Sequence, residues 1–203
     1  MAIDPQRSLP RSGEHMSVKE YFRLDYTAPE ARYEYVGGAV RLMAGGSGEH
    51  DQIAYNTRVA LSQHFLSGPC FVRSSDMRVQ VADDQYVFPD VTLSCDVADR
   101  RRGNKLIRSA RIVVEVLSPS TEKYDRTDKL KAYQTYPTIQ EIVLISQFAP
   151  HVEVYRRDEQ DSKVWHHTFY GPGQMVALES VDVEISLEEI YQGIDFDEPL
   201  SEE

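Results

Sequence analysis

Apolar and polar positions along this chain change period several times, and each change marks an element. Val18, Tyr21, Phe22 and Leu24 fall on one side of a short helix predicted to begin at Ser17. Arg32-Tyr-Glu-Tyr-Val36 and Ala39-Val-Arg-Leu-Met43 read as the two strands of a hairpin, joined by Gly37-Gly38, a two-residue turn that glycine accommodates without a Cβ clash. The period then lengthens. From about Glu49 to Leu66, Ile53, Thr57, Ala60, Leu61 and Phe65 share one helical face, and Gly68-Pro69 stops the segment. Strand-like stretches follow at 70–73, 77–82 and 87–93, with Asp83-Asp84-Gln85 as a turn. The densest apolar run is Arg111-Ile-Val-Val-Glu-Val-Leu-Ser118. A helix is predicted over about 123–136, strands over 141–146 and 151–156, weaker strands around 164–170 and 176–178, and a terminal helix at about 187–191.

The strand, helix and strand between 111 and 146 form a βαβ-like unit with antiparallel hairpins on either side, a pattern that predicts an α/β fold (α+β mixed) with a central mixed sheet. The chain has 203 residues, the length of one domain with a sizeable core, so a single domain is expected over 16–195. Residues 1–15, with Pro5, Pro10, Gly13 and few apolar side chains, read as a disordered leader, and 196–203 as an acidic tail. No apolar stretch is long enough to span a membrane and no signal-peptide pattern opens the chain, so a cytoplasmic protein is expected. Cys70 and Cys95 are too few for a disulfide framework and form no CxxC pair; reduced, partly buried thiols are expected.

A formal net charge of −11 opposes a broad electrostatic grip on nucleic acid. Its distribution qualifies this. Much of the negative charge lies from Glu179 to Glu203, whereas Arg100-Arg-Arg102, Lys105, Arg108 and Arg111 make a basic stretch that reads either as a solvated loop or as a local phosphate-binding face.

Glu115 is the anomaly. It interrupts a strand that is apolar on both alternating faces, where an ionised carboxylate costs several kcal/mol or more, on the order of the general penalty for burying a charge, unless it is paired, protonated or bound to a metal. A second acid, Asp90, follows Pro89, which removes a ladder donor and places Asp90 at a strand start, edge or bulge. Alone it reads as a turn carboxylate; beside Glu115 it makes half of a site for a hard cation such as Mg²⁺, which takes one or two protein carboxylates and completes its shell with water and phosphate oxygens. The following helix puts Asp125, Lys129 and Tyr133 at steps of four on one face. Singly, these read as a surface ion pair and a packing tyrosine; together with Glu115 they are the cation and hydroxyl that a buried acid requires.

Other motifs are weaker. Gly45-Gly46-Ser47-Gly48 lacks the GK[ST] ending of a phosphate loop and reads as a helix entry. Ser118 and Ser120 have no GxSxG elbow. His64, His151, His166 and His167 lack zinc-ligand spacing, and the adjacent pair should face opposite sides of a strand. Trp165 and the tyrosines read as core or interface residues.

Pro89-Asp90, Glu115-Val-Leu-Ser-Pro-Ser-Thr121, Asp125-x-x-x-Lys129-x-x-x-Tyr133, Glu141-Ile-Val-Leu-Ile-Ser146 and Val152-Glu-Val-Tyr-Arg156 together resemble the Uma-two family of endonucleases, a branch of the PD-(D/E)XK superfamily, over residues from about 17 to 191. The resemblance implies a restriction-endonuclease-like core flanked by helices, Mg²⁺-dependent cleavage of DNA with Mn²⁺ able to substitute, and a homodimer. It implies Asp90 and Glu115 as metal ligands joined by Glu34, and Lys129 as the lysine that assists the attacking water. The wider superfamily carries that lysine two residues after the second acid, where this chain has Leu117. His50 and Tyr133 are further candidate catalytic residues. Two positions depart from the family pattern: Gly37 replaces an Asp in the first hairpin, and Ser146-Gln147 stands where many members have an Asp. Loss of peripheral acids, with the acidic charge, keeps a second reading open, a non-catalytic nuclease-like domain serving dimerisation or nucleic-acid or partner binding.

Overall fold

A computed structural model describes residues 15–27, 31–43 and 45–196. In chain order the elements are α1 (Val18–Thr27), β1 (Tyr33–Val36), β2 (Ala39–Leu42), α2 (Gly48–His64), β3 (Phe71–Ser74), β4 (Arg78–Ala82), β5 (Gln85–Val87), β6 (Val91–Ser94), β7 (Leu106–Ile107), β8 (Ala110–Leu117), α3 (Glu122–Tyr124), a π turn (Asp125–Lys129), α4 (Leu130–Thr135), β9 (Glu141–Ser146), β10 (Val152–Arg157), β11 (Trp165–Tyr170), β12 (Met175–Leu178), a 3₁₀ turn (Glu179–Val181), β13 (Val183–Ser186) and α5 (Leu187–Ile190).

A six-stranded mixed sheet, ordered β11-β10-β9-β8-β6-β3, forms the body. Within it β8 and β9 run parallel, joined by the crossover through α3, the π turn and α4; the other neighbours are antiparallel. A five-stranded sheet, β2-β1-β5-β4-β7, carries the first hairpin, and β12 pairs with β13. The expected mixed-sheet architecture is therefore present.

Strand β8 is covered on both sides because its two faces have different partners. Ile112, Val114 and Val116 join a core with Ile53 and Leu61 of α2 and with β12 and β13. Val113 and Leu117 face a second core that includes Ala132 and Tyr133 of α4. Each such aliphatic side chain contributes about 1.5–3 kcal/mol of burial. Since a one-residue slip exchanges the two faces, this pattern also fixes which way Glu115 points: towards α4.

Three sequence expectations differ from the structure. The strand expected over 87–93 is broken in two, with β5 in the five-stranded sheet and β6 in the six-stranded one. Phe88-Pro89-Asp90 crosses between them, and proline cannot donate to a continuous ladder. The strands β7 and β13 were not foreseen; β7 is only two residues long and pairs in parallel with β4. Cys70 and Cys95 form a disulfide rather than two reduced thiols. The pairing of Phe71 with Ser94 at the end of the ladder sets Cys70, just before β3, opposite Cys95, just after β6, a juxtaposition that their separation of 25 residues does not reveal.

The expected leader lies outside the described residues except for His15, and so does the acidic tail except for Phe196. Among the described residues, no helix is long and apolar enough to cross a membrane.

Candidate active site

Asp90 stands immediately before β6, whose pairing with β8 begins at Val91 opposite Val114. Beyond that point Asp90 supplies the acceptor from its side chain: Oδ2 receives the Val116 amide at 2.8 Å. The same oxygen lies 3.3 Å from Nε2 of His50, in the first turn of α2. Ser47 caps that helix, its hydroxyl accepting the His50 amide at 3.2 Å. Gly46 is needed beneath the imidazole, since a Cβ there would sit 2.7 Å from Nδ1 of His50. Burial pulls the His50 pKa down, but the Asp90 carboxylate outweighs it and the net shift is upward.

Glu34 reaches the same region from β1. Its Oε1 accepts the Phe88 amide at 3.1 Å and faces Nζ of Lys129 at 3.1 Å.

Lys129 comes from the helix between β8 and β9. The π turn places the Leu130 amide on the Asp125 carbonyl, one residue further back than in an α-helix. Nζ of Lys129 lies 2.9 Å from Oε1 of Glu115, and 3.5 Å from Oδ1 of Asp125. Tyr133 donates its hydroxyl to that same Glu115 oxygen. The side chains of Glu34, Glu115, Asp125 and Lys129 are only 4–5% exposed, so the i,i+4 pair read as a surface contact is a buried one.

One ammonium thus faces three carboxylates away from water. Burial and the neighbouring acids push the Glu115 carboxyl well up against the pull of Lys129, and burial likewise raises Asp125. Burial acts to lower Lys129, but Glu115 and Glu34 outweigh it and hold the ammonium charged. A divalent cation beside Glu115 would favour its ionised form against this burial. The donors are hard oxygens, and two carboxylates with waters suffice for Mg²⁺. Among the described residues no group of three His, Cys, Asp or Glu side chains forms a ready metal cage, so a ligand set would draw on water or substrate oxygen.

A cavity of about 320 Å³ opens over this cluster, lined among others by Glu34, His50, Asp90, Glu115, Asp125 and Lys129. Tyr133 is not in its lining and acts on it only through Glu115. Ser118 and Ser120 do line it, but Ser118 bonds the hydroxyls of Ser120 and Thr121, and among the described residues no histidine hydrogen-bonds either serine. His151 and His167 lie instead beside Glu153, and His166 beside Asp158.

Sequence reasoning missed Arg41 and Tyr124, which also line the cavity. Arg41 was within reach of it: a two-residue turn at Gly37-Gly38 pairs Arg41 with Glu34. The basic stretch, by contrast, falls between β6 and the start of β8, at the Ser94–Ala110 end of the strand pair and away from Asp90 and Glu115.

A sequence model of the Uma2 family, described as "Putative restriction endonuclease", matches residues 18–188. An uncharacterized protein of Synechocystis sp. is 30% identical over 197 residues, covering 97% of this chain and all of that protein. A second uncharacterized protein of the same organism is 28% identical over 144 residues, 70% of this chain and 81% of its own. A crystal structure described as a putative nuclease belonging to DUF820, from Anabaena variabilis, superposes with a TM-score of 0.70 at 18% identity, covering 87% of this chain and 97% of that one.

Proposed function

The chain belongs to the Uma2 family and has a restriction-endonuclease-like fold, and on that premise we propose that it is a Mg²⁺-dependent endodeoxyribonuclease that hydrolyses DNA phosphodiester bonds. The observation that carries this reading is the buried Lys129 ammonium held between Glu115 and Glu34 at the floor of a cavity that Asp90 also lines.

Asp90 and Glu115 would hold the ion, with the backbone carbonyl just after Glu115 and, further out, Glu34; Mn²⁺ would substitute. The ion supplies Lewis-acid polarisation of the phosphate and a lowered pKa for the attacking water. The chain's own groups do the rest. Lys129, kept protonated by its carboxylates, would orient the attacking water and offset the charge that grows in the transition state. Tyr133 fixes the carboxylate of Glu115, and His50 with the Val116 amide fixes that of Asp90.

Homodimer assembly belongs to the same proposal. It is supported by β11, an edge strand of the large sheet that carries no Lys, Pro or acid and exposes Phe169.

The test is cleavage of supercoiled, linear and single-stranded DNA with Mg²⁺ or Mn²⁺ over a range of salt and pH, beside Mn²⁺ titration of the wild type and of Asp90→Ala and Glu115→Ala. Cleavage and metal binding by the wild type, both lost in the variants, are expected. Absence of cleavage on every substrate, or metal binding unchanged in both variants, would overturn the active-site reading in favour of a nuclease-like binding domain.

A further inference from the structure

The cavity over Glu115 is rich in acid, and the phosphodiester that must enter it is itself an anion. Most of the basic groups around it are already engaged: Lys129 with Glu115, Glu34 and Asp125, and His50 with Asp90. Arg41 is the exception. It is an exposed residue of the cavity lining, and among the described residues no carboxylate forms an ion pair with it.

This is unexpected from the hairpin register alone. Glu34 lies directly opposite Arg41 across β1 and β2, so their side chains share one face. Glu34, however, spends its Oε1 on Lys129 and on the Phe88 amide. The Arg41 guanidinium instead lies over the ring of Tyr124, 4.2 Å from its centre, and the same ring is 5.9 Å from Nζ of Lys129. Tyr124 immediately precedes the π turn, so the platform under Arg41 is continuous with the segment that delivers Asp125 and Lys129.

A guanidinium resting on an aromatic face is held in one plane while its edge N–H donors remain free, and that fork matches two non-bridging oxygens of a phosphate. We propose that Arg41, seated on Tyr124, binds a backbone phosphate of the substrate strand next to the scissile one, and that this contact, rather than the basic stretch between 100 and 111, gives an acidic protein its local hold on DNA. The proposal rests on the nuclease reading. It adds the residue that admits and registers the strand.

The experiment is equilibrium binding of a fluorescent DNA duplex to the full chain by anisotropy in Ca²⁺, repeated over a salt series, together with steady-state cleavage in Mg²⁺. Arg41→Gln is expected to weaken binding by about tenfold, with a slope of log K against log salt shallower by about one, as for loss of one phosphate contact. Arg41→Lys should keep the slope while losing affinity, since a lysine neither stacks nor forks as arginine does. Tyr124→Leu should weaken binding with Arg41 intact, and Arg101→Gln, in the basic stretch, should change neither quantity. Thermal melts of Arg41→Gln should match the wild type, because its side chain is solvent-exposed. If the wild type cleaves DNA while Arg41→Gln binds with unchanged affinity and slope, this inference fails and the nuclease reading stands. If the wild type neither binds nor cleaves, both fall together.

Discussion

Tyr133 and Lys129 share one acceptor, Oε1 of Glu115. The hydroxyl and the ammonium come from opposite sides of the boundary between the π turn and α4, so a single carboxylate oxygen on β8 holds the crossover helix to the sheet at its most polar point. The contact also leaves Glu115 facing the cavity in a fixed orientation.

Removing the hydroxyl alone separates orientation from packing. Tyr133→Phe keeps the ring in its core and leaves Glu115 with Lys129. Stability should fall by about 1–2 kcal/mol, the usual range for one buried hydrogen bond. Turnover should fall at least tenfold, about 1.4 kcal/mol in the barrier, with KM nearly unchanged, because the carboxylate is still present but less well aimed. Urea denaturation and steady-state cleavage read the two effects. An equal rise in KM would mean that Tyr133 serves substrate binding instead.

Lys129→Met should be costly in a different way. It strands Glu34, Glu115 and Asp125 in a water-poor site, and breaking a buried pair typically costs about 3–5 kcal/mol. Adding Glu115→Gln to that variant should restore part of the loss, since one of the stranded charges is gone; the double-mutant cycle measures the coupling. A single variant as stable as the wild type would show that Lys129 does not compensate these acids.

Gly46→Ala tests the support of Asp90. The new methyl group would meet the imidazole of His50 and push it from its place. The clash reaches Cγ at 2.9 Å and Cβ at 3.2 Å as well as Nδ1, so the side chain must move from its root and the fold should lose about 1–3 kcal/mol, as for overpacking. The His50 imidazole should titrate lower than in the wild type, since Asp90 is what raises it. Proton NMR across the histidine range measures this, and an unchanged titration would separate His50 from Asp90.

Glu153 provides the pH prediction. Burial raises its pKa, but the bonds to Arg126 and His167 outweigh that, and the folded value lies below the ordinary 4.5. The carboxylate therefore stabilises the fold fully above the unfolded pKa, and this contribution disappears as pH falls through the depressed folded value. In thermal melts, Glu153→Gln should differ most from the wild type above about pH 5, the region where an ordinary carboxylate is ionised, with the gap closing below about pH 4. A gap that widens in acid would reverse the assignment.

Much of the site was readable in the residues because its chemistry contradicts its surroundings. An acid within Ile112–Leu117 demands compensation, and the Asp125, Lys129 and Tyr133 spacing offers it on the next element. The parallel β8–β9 pair followed from the strand, helix and strand order. What stayed hidden depends on contacts between distant segments. The break at Pro89 divides one apolar stretch between two sheets, and only tertiary pairing reveals where each part goes. The disulfide depends on the β3–β6 register. Nothing in the sequence sets Arg41 apart or separates Tyr124 from the other tyrosines, because their contact depends on how the first hairpin lies against the crossover helix.

The π turn carries a consequence for engineering. A π turn is an α-helix holding one residue too many, so deleting one residue between Asp125 and Lys129 would return the segment to regular helix, with better hydrogen-bond geometry. The wide turn absorbs that extra residue, so the deletion would leave Glu122–Tyr124 and Leu130–Thr135 close to their present angular relation; the change would fall on the turn itself, which carries Asp125 and Lys129. The most regular helix this sequence could form is thus one deletion away, and it would lack the wide turn from which the cavity's lysine now projects.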